Sequence, residues 1–193
     1  MKGRTPYRIV GYASADDYLN GIIKKHELPR SNKEQDDMVH VRVNNANIEP
    51  GFFTYPPVKE IDQIVNRIVI TENPEYDFVS EDGFGHHFWL VKKPETNTLI
   101  EKLFAEKVTS TSVADSHHST AAAALVGKEK REKNPLHNGT EEYNFFLAIH
   151  FPTDQLQIID YNRTIKDLNG LVKLLSIIQN YINTIVHQIC KLY

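Results

Sequence analysis

At 193 residues the chain is long enough for one domain, or one and a fraction, with a substantial buried core. Its net charge of −3, with 24% of residues charged, supplies no global basic field, which excludes DNA binding by a broad cationic surface. The single cysteine, Cys190, excludes an intramolecular disulfide framework and fits a reducing compartment.

In chain order, residues 7–12 are predicted as a strand, and Ser14 as the cap of a short helix with Asp16 and Asp17 in its first turn. Gly21 ends that helix. Residues 22–28 are expected to form a second strand running into Pro29 and Arg30, and Ser31 or Asn32 opens a polar helix reaching about Ala46. After a loop over 44–51, residues 52–55 are a short buried strand stopped by Pro56 and Pro57. Val58, Ile61, Ile64, Val65, Ile68 and Val69 recur at helical spacing, so residues 58–71 are predicted as a helix with one packed face. Residues 76–79 and 86–91 are two strands joined by Glu81-Asp82-Gly83, a hairpin signal. Pro94 begins a helix at a position where its missing N–H is harmless, and that helix runs to Glu106 or Lys107.

Residues 113–126, Val-Ala-Asp-Ser-His-His-Ser-Thr-Ala-Ala-Ala-Ala-Leu-Val, form the centre of the chain. A β-branched apolar run over 111–114 gives way to polar residues and then to alanines of high helix propensity, which predicts strand, turn, helix. That helix is expected to end near the charged run 128–133. Residues 143–151 are an apolar strand, 152–154 a turn, and 156–161 alternate like a paired strand. Residues 171–193 lack acids and are apolar on nearly every helical face, which predicts a packed helix. The fold class is therefore α/β in the mixed, α+β sense.

The first turn of a helix leaves backbone N–H groups without partners and carries partial positive charge, so it can seat a phosphate or carboxylate. Asp115, His117 and His118 stand at such a seat, with Ser116, Ser119 and Thr120 beside them. The histidines can donate to phosphate oxygens, and Asp115 can orient one of them or hold Mg²⁺; the bland alternative is a capped helix with solvated histidines. His26-Glu27 with Arg30 forms a second polar cluster, and His40 with Arg42, ahead of Asn44, Asn45 and Asn47, a third. A zinc site drawing on Asp115, His117, His118 and one of His86, His87 or His150 is the competing chemistry, but no recognised metal-ligand spacing such as H-E-x-x-H is present, nor a Walker-type loop or nucleophile elbow, so no zinc ligand is assigned.

Asp16-Asp17-Tyr18-Leu19-Asn20-Gly21, Ile23-Lys24-Lys25-His26-Glu27, Asn44-Asn45-Ala46-Asn47 and Glu75-Tyr76-Asp77-Phe78-Val79 carry a resemblance to a known family. It continues through Val126-Gly127-Lys128-Glu129-Lys130-Arg131, Glu141-Glu142-Tyr143-Asn144 and Ile159-Asp160-Tyr161-Asn162-Arg163, and closes on Lys166-Asp167-Leu168-Asn169-Gly170-Leu171. The chain resembles an uncharacterised, mostly bacterial family that carries an Asp-Gly-His-His-Arg motif. That family is grouped loosely with ParB-like and sulfiredoxin-like domains and with free-serine kinases. The resemblance implies a ParB/sulfiredoxin-like mixed sheet with flanking helices over residues 1–170, without the longer flanks that members usually carry, and a divergent helix over 171–193.

It further implies a phosphate- or nucleotide-binding domain, a phosphotransferase acting on a serine-like hydroxyl if active. Glu27 would then be the general base, Asp115 and His117 catalytic, and His118, Ser116, Ser119, Thr120, Arg30 and Arg42 phosphate ligands. Mg²⁺ and a nucleotide phosphate donor are the implied cofactors. The implied partner is a phosphorylated small molecule or nucleotide, with no DNA and no membrane; a homo-oligomer is compatible with the sequence. No apolar segment follows Met1-Lys2-Gly3-Arg4, and no run of about twenty residues is free of polar groups, so the expected location is cytoplasmic.

One departure bears on activity. The family's Gly and Arg are replaced by Ser116 and Ser119. Glycine supplies a positive φ, and arginine a bidentate phosphate ligand. Losing one charge-assisted hydrogen bond weakens binding by roughly ten- to a hundredfold. The alternative to an active enzyme is thus a catalytically silent paralogue or fragment with a structural or regulatory role.

Overall fold

A computed structural model describes residues 5–26, 31–47, 49–158 and 179. The chain divides into two units, residues 1–157 and 158–193, and the elements below belong to the first. They are β1 (Ile9–Ser14), α1 (Ala15–Leu19), β2 (Ile23–Lys24), α2 (Ser31–Asn44), β3 (Gly51–Tyr55) and α3 (Lys59–Thr71). There follow β4 (Tyr76–Val79), β5 (Gly85–Phe88), α4 (Pro94–Lys107), β6 (Thr111–Asp115), α5 (His117–Lys133) and β7 (Phe145–Pro152), with 3-10 turns at Glu142–Asn144 and Thr153–Gln155. The fold is mixed α+β, as the sequence predicts.

Local signals set most of these boundaries. Ser14 Oγ accepts from the backbone N–H groups of Asp16 (3.1 Å) and Asp17 (3.4 Å), which fixes the start of α1. Pro94 begins α4, and Val58, Ile61, Ile64 and Ile68 are buried along the start and inner face of α3. The 4-residue strands β4 and β5 pair antiparallel across the turn at Gly83, whose φ is +81°. That hairpin is separate from the main sheet, and its residues are exposed on both faces.

The main sheet has the order β1-β7-β3-β6-β2. β1 and β7 are antiparallel, β7 and β3 parallel, β3 and β6 antiparallel, and β6 and β2 parallel. The alanines of α5 let that helix lie close on the sheet. Ala121 and Ala124 pack with Phe53, Val113, Phe146 and Ala148, while Ala122 and Val126 face Met38 of α2. A second core of Tyr55, Val58, Ile61, Ile64, Ile68, Leu103 and Val108 joins α3 and α4 to the far end of β3.

Three expectations need correction. The first strand lies two residues later than predicted, at Ile9–Ser14, and Tyr7 instead donates its N–H to Gln155 Oε1 at 2.6 Å. Of the second strand, predicted over 22–28, the described residues form strand only at Ile23–Lys24; the N–H of Ile22 is taken by the carbonyl of Asp17 at 2.9 Å, and residues 27–28 lie outside the described residues. Of the strand predicted over 156–161, Leu156, Gln157 and Ile158 are not in a strand despite their alternation, and 159–161 lie outside the described residues. β7 is already paired on both sides, and the Leu156 N–H closes the turn onto Thr153. The predicted helix over 171–193 lies outside the described residues, Gln179 excepted. Among the described residues no helix is long and apolar enough to cross a membrane.

Candidate functional site

The strand-to-helix junction at Ser116 is sharper than the polar turn that the sequence predicts after residue 114. β6 ends at Asp115 and α5 begins at His117, with a single residue between them. Ser116 makes this turn at φ 66° and ψ 37°, in the left-handed region that glycine adopts most easily. Its N–H donates to Asp115 Oδ1 at 2.7 Å, and its carbonyl accepts the N–H of Thr120 at 2.9 Å. No side chain caps α5, and no acid stands in its first turn. A β-bulge shifts the register so that Asp115 lies opposite Phe52 and Val113 opposite Phe53.

A second strand-to-helix unit lies alongside the first. β2 is parallel to β6, with Ile23 beside Thr111 and Lys24 beside Ser112, so both strands end on the same edge of the sheet. The helices that follow them also run in one direction. Met38 packs with Ala122 and Val126, Arg42 bonds Glu129, and Lys130 donates to Asn45 Oδ1. Rising residue numbers in α2 therefore match rising numbers in α5. The starts of both helices lie at one end of the molecule, and each contributes partial positive charge there.

The histidines gather at this end. His117 is 7% exposed, and its ring meets that of His26 edge-on, with centroids 4.3 Å apart and an interplanar angle of 85°. His118 is half-buried, and its Nδ1 is buried without a hydrogen-bond partner among the described residues. Ser119 Oγ donates to Glu49 Oε2 at 3.0 Å, so the loop before β3 brings a second carboxylate to the site besides Asp115.

Not every predicted residue is found there. Thr120 is 2% exposed and belongs to the core, its hydroxyl packed beneath Gly51. Arg42 is bound to Glu129, twelve residues beyond His117, which is about 18 Å along the helix. That bond holds the Glu129 carboxyl below its ordinary range. Glu27 and Arg30 lie outside the described residues.

Two site residues escaped the motif. Nothing in a single sequence pairs His26 with His117, since their contact depends on the parallel β2–β6 register. Glu49 sits in a loop with no spacing signal of its own. A shallow cavity lined by Tyr7, Arg8, Tyr55 and Asp62 lies at the opposite end of β3 and shares no residue with this cluster.

The resemblance implies Mg²⁺, for which the carboxylates near the start of α5, Asp115 and Glu49, are the candidate ligands. Mg²⁺ is commonly held by one or two carboxylates together with phosphate oxygens. Among the described residues no three His, Cys, Asp or Glu side chains are grouped to hold a metal without such a ligand.

No curated protein and no solved structure matches the chain. A family does match, and the match extends past Leu171, where the motif resemblance ends. It spans residues 1–188, nearly the whole sequence, and on that extent the chain belongs to the family described as Protein of unknown function (DUF1015).

Proposed function

We propose that this chain is a cytoplasmic domain that binds the phosphate of a small molecule or nucleotide at the start of α5. The observation that carries this reading is the one-residue turn at Ser116, which delivers an uncapped helix start directly from a strand end, among His26, His117 and His118. Backbone N–H groups and the helix dipole favour an anion there, and imidazoles add donors. The catalytic extension assigns phosphoryl transfer to a serine-like hydroxyl, with Asp115 and His117 at the reacting end and Glu27 as base. Mg²⁺ held by Asp115 and Glu49 would neutralise phosphate charge. The ParB/sulfiredoxin-like grouping of the resembling family supports the reading by analogy alone.

One observation favours the silent alternative. Glu49 bonds Ser119 at the position where the motif's Arg would stand, so without a cation the site repels the anion it is built to receive. Thermal-shift and calorimetric titrations with ATP, ADP, CTP and pyrophosphate, each with and without Mg²⁺, test both readings. Mg²⁺-dependent stabilisation of the wild type that His117→Ala abolishes is the expected result. If no compound shifts the melting temperature of the wild type, phosphate binding is wrong. Binding that appears only in the double variant Ser116→Gly, Ser119→Arg identifies an intact scaffold with a silenced site.

A further inference from the structure

We propose that His26 is a positioning residue of the α5 site, so that two neighbouring strand-to-helix units build the site jointly; this rests on the phosphate reading above. His26 follows β2 by two residues, and the parallel pairing of β2 with β6 carries it to the edge where β6 ends. Its ring is exposed, whereas that of His117 is 7% exposed, so His26 covers the outer side of a nearly buried imidazole.

The edge-on arrangement directs the electropositive rim of one ring at the electron-rich face of the other. At 4.3 Å this contact is one of those that limit rotation of the His117 ring, and so where its two nitrogens point. A phosphate ligand profits from a donor already held in place, since a freely turning imidazole must be ordered on binding. His26 acts here through His117 and not by its own contact with the ligand. The family motif alone, confined to residues 115–119, omits this half of the site.

The test compares His26→Ala with His26→Phe, which keeps an edge-on ring but cannot hydrogen-bond. Affinity for pyrophosphate and for ADP in the presence of Mg²⁺ is measured by calorimetry, and the His117 ring signals are followed by carbon-detected NMR. His26→Ala is expected to weaken binding by about two- to tenfold, the equivalent of one edge-on ring contact. His26→Phe is expected to stay within about twofold of wild type on the same scale. The His117 ring signals should shift and broaden in His26→Ala and remain sharp in His26→Phe. The melting temperature should change little in either, because His26 is exposed.

Wild-type affinity in His26→Ala overturns the proposal, as does an equal loss in His26→Phe, which would show that the imidazole nitrogens contact the ligand directly. If the wild type binds neither compound, the phosphate reading fails on its own. The NMR comparison still decides the positioning role, since unchanged His117 signals in His26→Ala overturn it.

Discussion

Arg42 forks onto Glu129, with Nε 2.9 Å from Oε2 and Nη2 2.7 Å from Oε1, and so ties α2 to α5 well away from the helix starts. The pair is about one-third exposed, so solvent screening leaves it little net worth despite the bidentate geometry. Arg42→Ala should therefore move the urea midpoint only slightly. It should leave phosphate affinity unchanged. A large loss of affinity in this variant would return Arg42 to the site.

Ser116→Gly is expected to stabilise the protein. A non-glycine residue in the left-handed region is strained by about 1–2 kcal/mol, partly offset by the greater chain entropy of an unfolded glycine. The net gain expected in urea denaturation is about 0.5–1 kcal/mol. Because the Ser116 side chain caps nothing, no compensating hydrogen bond is lost. Destabilisation would mean that the hydroxyl has a role the geometry does not show.

Gly127→Ala should act in the opposite sense and strongly. Glycine lies within α5, where alanine is normally better by about 1 kcal/mol. Here a Cβ would collide with the carbonyl oxygen of Tyr143 and touch Ala15. The clash is with backbone, which cannot simply rotate away. Overpacking of this kind is expected to cost about 1–3 kcal/mol, read as a lower urea midpoint. The helix propensity scale alone would give the wrong sign.

His150 makes stability depend on pH. Its ring lies between Phe53 and Phe104, its Nδ1 has no partner among the described residues, and burial lowers its pKa from 6.5 to about 4. Above pH 6.5 the imidazole is neutral in both states and nothing is lost. As pH falls from 6.5 towards 4, the unfolded chain takes up a proton that the folded one refuses. The folded state loses about 3 kcal/mol across that window. His150→Phe should remove this component, flattening the stability profile between pH 4 and 6.5 without loss at pH 7.5. A wild-type slope retained in the variant would assign the effect to another group.

Glu141 gives a second, lower window. Partial burial pushes its carboxyl up, but the backbone N–H groups of Asn138 and Gly139 and the neighbouring His137 outweigh this and hold it at about 2. The stability it contributes is complete above pH 4.5 and is lost as pH falls towards 2. Glu141→Gln should remove that acid-side loss in denaturation series run between pH 2 and 5. An unchanged slope there would separate Glu141 from acid unfolding.

Much of the fold was legible because it rests on local chemistry. The Ser14 cap, Pro94 at the start of α4 and the apolar stripe of α3 each state a boundary in a few neighbouring residues, and the passage from β-branched residues to the alanines of 121–124 announces a strand and then a helix. Strand pairing is not local. β2 pairs with β6 over only two residues, and residues 156–158 alternate without forming a strand, neither of which local sequence states. The site divides in the same way. Asp115, Ser116, His117, His118 and Ser119 are contiguous and could be found by motif, whereas His26 and Glu49 reach them through topology. Arg42 was plausible as a phosphate ligand only until its partner on α5 was known.

The position of β7 in the sheet has a consequence for how the chain is made. β7 is the last strand among the described residues, yet it lies between β1 and β3, and Ile9 pairs with His150. β7 is the one neighbour of β1 in the sheet, so the native pairing of β1 waits until residues 145–152 have left the ribosome. Contacts of such wide sequence separation slow folding and leave an open sheet edge on the nascent chain. A chain released before residue 145 keeps the whole Asp115–Ser119 turn and still cannot close the sheet on which that turn stands.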